Sequence, residues 1–178
     1  ETRQPEGDAH VALPDFSTIF DRVSPGVVGL AAGRIIEGRF RPMNHGTGLV
    51  WDRQGHVVTS AHLLANATDV RLRQRDGSVH AAVVVGHDMA TDVALLRVEA
   101  LKLMPINRGR GGQEVRPGQW VAAVGNPYGM NHSITVGVVS AIGRRNLPKG
   151  APKYGDFIQT DVAIFPGNSG GPLIDRFG

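Results

Sequence analysis

Phe165-Pro166-Gly167-Asn168-Ser169-Gly170-Gly171-Pro172 sets one serine hydroxyl in a turn with glycines on both sides. Acyl transfer by a serine needs such a turn, with an exposed hydroxyl, a backbone free to take unusual angles and N–H groups converging on a developing oxyanion. On this reading Gly167, Asn168 and Ser169 form the oxyanion turn, with the N–H groups of Gly167 and Ser169 as donors. Taken alone, the segment reads more readily as a glycine-rich β-turn. What decides between the two lies elsewhere in the chain.

Upstream, Val57-Val58-Thr59-Ser60-Ala61-His62 ends an apolar strand on a histidine in a turn of small residues. An imidazole there can face a cleft while the strand holds it rigidly. Ala90-Thr91-Asp92-Val93-Ala94-Leu95-Leu96 places a carboxylate at the mouth of a second apolar strand. A partly buried acid needs a partner, and a histidine N–H is a natural one because it fixes the tautomer a general base requires. Singly, His62 is one of seven histidines and Asp92 could be a turn residue or half of a surface ion pair. Together, the chain order His, Asp, Ser is that of chymotrypsin-type enzymes and differs from that of subtilisins and α/β-hydrolases. His62 is the candidate base, Asp92 its orienter and Ser169 the nucleophile.

Around these residues the pattern is one of short strands. Phe16, Ile19, Phe20 and Val23 recur at helical spacing, and Ser24-Pro25-Gly26 ends that helix. Apolar runs follow at 27–32, 46–51, 56–60, 70–73, 79–85 and 93–98, and again at 120–124, 134–142, 157–160 and 172–174. Gly 24 and Pro 11 supply the turns between them. An all-β sandwich or pair of barrels is predicted, rather than βαβ units. The expected organisation is an N-terminal arm and short helix (1–23), a first barrel with His62 and Asp92 (24–106), a linker (107–118) and a second barrel with Ser169 (119–178).

Composition removes other classes of function. The formal charge of +3 is too small, and the basic residues too scattered along the sequence, to indicate nucleic-acid binding. The absence of cysteine excludes disulfides, thiolate zinc sites and a cysteine nucleophile. His10, His45, His56, His80, His87 and His132 show no metal-binding spacing, so neither metal nor cofactor is expected. No apolar run has the length of a membrane span. The chain opens on Glu1, from which any targeting segment is expected to have been removed.

The sequence resembles the HtrA/Deg serine proteases. The resemblance is carried by Gly46-Thr47-Gly48, Thr59-Ser60-Ala61-His62, Thr91-Asp92-Val93-Ala94-Leu95-Leu96 and Val124-Gly125-Asn126-Pro127-Tyr128-Gly129. Val136-Gly137-Val138-Val139-Ser140, Gln159-Thr160-Asp161 and Gly167-Asn168-Ser169-Gly170-Gly171-Pro172 continue it. It implies a chymotrypsin-like double β-barrel with the catalytic cleft between the barrels. It also implies ATP-independent cleavage of unfolded or damaged proteins in quality control or regulated processing, outside the cytoplasm and most often in the bacterial periplasm. Assembly as a homotrimer through the N-terminal segment, with Phe16 and Phe20 as contacts, and a PDZ domain in the full-length protein belong to the same expectation.

Ala163 stands where trypsins carry an acid at the base of the specificity pocket, and Ile164 beside it should narrow that pocket. Small or branched aliphatic residues are then favoured, since a Lys or Arg would be buried unpaired. Asn168 replaces the carboxylate that chymotrypsin relatives pair with a new N-terminus, so loops 126–132 and 144–156 are expected to order the oxyanion turn, the second acting as a sensor. Gly178 falls nine residues after Ser169, whereas family members continue with strands that close the second barrel. An incomplete second barrel is therefore expected, and with it an alternative: a latent, peptide-binding or chaperone-like form.

Overall fold

Six strands between residues 27 and 97 close into a barrel. They are β1 (Val27–Ile36), β2 (Arg39–Val50), β3 (His56–Thr59), β4 (Asp69–Arg73), β5 (Val79–Asp88) and β6 (Val93–Arg97), hydrogen-bonded around the barrel in the order β1-β2-β3-β6-β5-β4. The computed structural model describes residues 13–99, 104–109, 115–126, 132–145 and 154–178. Alternation along the strands sends Val28, Leu30 and Ala32 of β1 and Val70 and Leu72 of β4 into the interior, where Val50, Val57 and Leu96 meet them. Each fully buried aliphatic side chain contributes about 1.5–3 kcal/mol. The arginines of β4, Arg71 and Arg73, take the outer face.

β2 begins well before the apolar run that marks it in the sequence. Glu37 (φ 51°) and Gly38 (φ 74°) both adopt left-handed backbone, which makes a two-residue turn joining Ile36 to Arg39. The β2 arm of this hairpin, Arg39 to Asn44, contains no apolar run, so an apolar-run reading misses it. Its register shifts between Ala32 and Gly33, where Met43 is the extra residue on β2.

The second half is a four-stranded antiparallel sheet ordered β10-β7-β8-β9, from β7 (Trp120–Gly125), β8 (Ser133–Arg144), β9 (Phe157–Thr160) and β10 (Leu173–Asp175). Helix α1 (Phe16–Val23) lies against it. Ile19 and Val23 are buried with Val27, Ala122, Val124 and Ile174. The Phe16 ring sits 6.3 Å from that of Trp120, and the Arg22 guanidinium donates to the Phe177 carbonyl at 2.7 Å. The helix starts on Asp15, whose carboxylate accepts from the hydroxyls of Ser17 and Thr18 and from their N–H groups. Those bonds hold its pKa down to about 2.

The fold is thus the chymotrypsin-like all-β arrangement expected, a closed first barrel with a second sheet beside it. Among the described residues no helix is long and apolar enough to cross a membrane. The expected linker at 107–118 and the loops at 126–132 and 144–156 fall partly or largely outside the described residues.

Candidate active site

The β3–β6 register builds the first half of the site. Thr59 lies opposite Ala94, and two further antiparallel steps set residue 61 opposite residue 92. The Ala61 N–H donates to the Asp92 carbonyl at 3.2 Å, and the His62 N–H to Asp92 Oδ1 at 2.8 Å. The same carboxylate reaches the imidazole, with His62 Nδ1 at 2.8 Å from Oδ2 and 3.1 Å from Oδ1. Asp92 takes left-handed backbone (φ 58°), an unfavourable choice for a residue with a Cβ. The bonds to Ala61 and His62 hold it there. The tautomer protonated on Nδ1 donates to Asp92 in this geometry, and Nε2 has no partner among the described residues.

The serine turn docks onto β2. The Thr47 N–H donates to the Ser169 carbonyl at 2.9 Å, and the Thr47 hydroxyl donates to the Gly167 carbonyl at 2.6 Å while accepting from the Asn126 N–H at 2.9 Å. Thr47 is fully buried. The Thr59 hydroxyl in turn donates to the Thr47 carbonyl at 2.7 Å. Residues 47, 59, 126, 167 and 169 thereby form one hydrogen-bonded block that joins the end of β3, ahead of His62, to the turn that carries Ser169. No hydrogen bond joins the Ser169 hydroxyl to His62 in this structure. Hydrogen bonds of this kind are commonly loose in the absence of substrate.

Within the turn the Asn168 N–H is taken by the Phe165 carbonyl at 3.0 Å, and the Asn168 carbonyl accepts from the Gly171 N–H at 2.9 Å. Asn168 thus serves the turn itself and is not an oxyanion donor. The N–H groups of Gly167 and Ser169 have no partner among the described residues. Gly167 adopts φ 100°, which a side chain would oppose. His62, Leu63, Pro166 and Gly167 line one cleft with Met43, Asn44 and His45 of β2, about 390 Å³ in volume. Ala163 and Ile164 lie outside it. The Ala163 carbonyl accepts from the Thr135 hydroxyl at 2.7 Å, and Ile164 is exposed.

Asn168 is buried and its Oδ1 has no hydrogen-bond partner. A carboxylate at this position would be an uncompensated buried charge. Asn168→Asp is therefore expected to cost on the order of 3 kcal/mol, read by thermal denaturation. An unchanged Tm would mean that a cation or water reaches the site.

Sequence reasoning singles out Gly46-Thr47-Gly48 without giving Thr47 a role. A hydroxyl set between two glycines in a strand is the available signal. It also misses the His56–Asp52 pair (Nδ1 to Oδ2, 2.7 Å), which staples the β2–β3 turn at the opposite end of β3 from His62. Among the described residues no group of three or more His, Cys, Asp or Glu could hold a metal ion.

A barrel that presents a histidine–aspartate pair beside a serine-bearing turn defines a chymotrypsin-type hydrolase domain, and the trypsin-like peptidase domain family matches residues 46–178. The chain belongs to that family, on its HtrA/Deg side. It is 34% identical to a probable periplasmic serine endoprotease DegP-like of Halomonas elongata, over 93% of this chain and 42% of the relative. It is 46% identical to Protease Do-like 1, chloroplastic, of Arabidopsis thaliana, over 77% of this chain and 32% of the relative. Among solved structures, the HtrA-type protease AlgW with a tripeptide superposes with a TM-score of 0.82 at 35% identity, covering 92% of this chain and 51% of that one. The chain thus spans about half the length of these relatives or less.

Proposed function

We propose that this chain is the catalytic domain of an HtrA-type serine endopeptidase. The observation that carries the reading is the shared cleft, lined both by His62, buttressed on Nδ1 by Asp92, and by Pro166 and Gly167 of the serine turn. Ser169 Oγ attacks the scissile carbonyl as His62 Nε2 takes its proton. Asp92 holds the ring and stabilises its charged form. The Gly167 and Ser169 N–H groups receive the oxyanion, and His62 then returns the proton to the leaving amine. The latent, peptide-holding alternative has less support, since the two free N–H donors and the oriented base are features of turnover rather than of holding.

The substrates on this reading are unfolded or damaged polypeptides, cleaved without ATP outside the cytoplasm. The named relatives are periplasmic and chloroplastic. With no carboxylate at Ala163, small or branched aliphatic residues are favoured before the scissile bond, beside Ile164. A homotrimer built through the N-terminal segment would have to use what Phe16 and Phe20 leave open, since the Phe16 ring packs near Trp120 and the Arg75 guanidinium lies over the Phe20 ring. The test is covalent labelling of the full-length protein by a fluorophosphonate, with the adduct located by mass spectrometry. An adduct on Ser169 that disappears in Asp92→Ala supports the reading, and absence of any adduct on Ser169 refutes it.

A further inference from the structure

One wall of the cleft is Met43, Asn44 and His45 of β2, and the β1–β2 hairpin that continues from this wall is basic. Arg34 and Arg41 are cross-strand partners, and Arg39 lies two residues further toward the tip. All three are exposed, and none forms a salt bridge among the described residues. The register fixes which face they share. Ala32 pairs with Asn44 and, after the shift, Arg34 pairs with Arg41, so Asn44, Arg34 and Arg41 lie on one face of the hairpin. Asn44 lines the cleft, and its amide also donates to the carbonyls of Leu63 and Ala65 just past His62. Arg34 Nε donates to the Asn66 carbonyl at 2.7 Å, which holds its guanidinium beside the turn that carries His62. The nearby carboxylates are Glu37 at the tip and Asp69, which accepts from the Thr68 hydroxyl. Three arginines against two acids leave the face positive. Three arginines of the segment 34–41 are thus brought together by the hairpin, next along the chain to Met43 and Asn44 of the cleft wall.

His62 must hand its proton to the leaving amine, so the polypeptide that follows the scissile bond departs over the His62 side. There it meets Met43 and Asn44 first and the arginines next. We propose that the hairpin is a subsite for acidic polypeptide, in which Arg34, Arg39 and Arg41 receive Asp and Glu side chains from the substrate stretch following the scissile bond. The inference rests on the protease reading for its direction along the substrate, and on the hairpin alone for its charge. Each exposed arginine–carboxylate pair contributes a factor of about 1.5 to 5, so three acidic residues give roughly tenfold selectivity. Because the pairs are exposed, salt screens them.

The experiment uses the full-length protein in two arms. In the first, fluorescein-labelled decapeptides that differ only in three Glu against three Gln are bound to the Ser169→Ala variant, followed by anisotropy. The Glu peptide is expected to bind about tenfold tighter at low salt, with the difference lost in 0.5 M NaCl and in Arg39→Gln/Arg41→Gln. Equal binding, or a difference that survives the double substitution, overturns the proposal. So does capture by phosphatidylglycerol vesicles without discrimination between the peptides, which would assign the arginines to a lipid surface.

In the second arm, cleavage sites in denatured casein are mapped by mass spectrometry. Acidic residues are expected to be enriched after the cut and depleted there by the double substitution, whereas enrichment only before the cut overturns the direction. Loss of all cleavage with the binding difference intact would instead refute the protease reading and leave the basic hairpin standing as a site for acidic peptide.

Discussion

Ser169→Ala, His62→Ala and the double variant are expected to lower kcat/KM on an unfolded protein substrate by nearly the same amount, about 10⁶-fold. The three numbers should coincide because the two side chains perform one step: removing either partner removes the proton transfer that makes the other useful. A residual rate above that in water is expected to remain, since the Gly167 and Ser169 N–H groups persist in all three variants. Asp92→Asn should cost less, on the order of 10⁴-fold, because it leaves the geometry largely in place and presents an amide to the imidazole where a carboxylate now fixes the tautomer. The Asp92 bonds to His62 N–H and Nδ1, both 2.8 Å, are what that substitution alters. Steady-state kinetics on denatured casein, with circular dichroism to show that each variant folds, measure all four. If the single effects multiplied in the double variant, His62 and Ser169 would act in separate steps and the assigned mechanism would fail.

How much of this is legible in the sequence depends on whether a feature is local. The strands from Val27 to Arg97 can be read because period-two alternation is written along the chain, as in Val70-Arg71-Leu72-Arg73, and the barrel interior follows from it. The polar arm of β2 cannot, since Arg39 to Asn44 offers no apolar run. It is a strand only because the left-handed turn at Glu37 and Gly38 folds it back on β1. The approach of Asp92 to His62 is legible in kind from residue types and chain order. Its reason, the register of β3 on β6, lies in pairing that a linear reading does not contain. The Thr47 bonds to the serine turn and to Asn126 span about 80 residues or more, and the local signal, a hydroxyl between two glycines, marks Thr47 without naming its partners. The three arginines are close neighbours in the sequence, at 34–41, but their place beside the cleft wall follows from the β1–β2 register, which a charge count does not contain.

Gly170→Ala is expected to harm the protein severely without removing a chemical group. Gly170 adopts left-handed backbone (φ 83°), and a Cβ there would press on the Thr47 carbonyl and the Thr59 hydroxyl and come within 3.0 Å of the Ser60 N–H. Two of those three are main chain, and the Thr47 carbonyl is already bonded to the Thr59 hydroxyl at 2.7 Å in a buried position. No flexible side chain is available to yield. Left-handed strain of about 1–2 kcal/mol and an overpacking cost of about 1–3 kcal/mol then fall on one residue, for a total of roughly 2–5 kcal/mol. Gly38→Ala separates the two contributions. Gly38 is also left-handed (φ 74°), and a methyl group added there would meet nothing within 4 Å, so it should show the strain alone. Thermal denaturation of the pair measures the difference, which is the closeness of the serine turn to β2. Because relief of the clash pushes the turn away from Thr47, Gly170→Ala should also lose peptidase activity at temperatures where it remains folded. Equal destabilisation by the two substitutions would show that the turn is not seated on β2 and that Ser169 is held by something else.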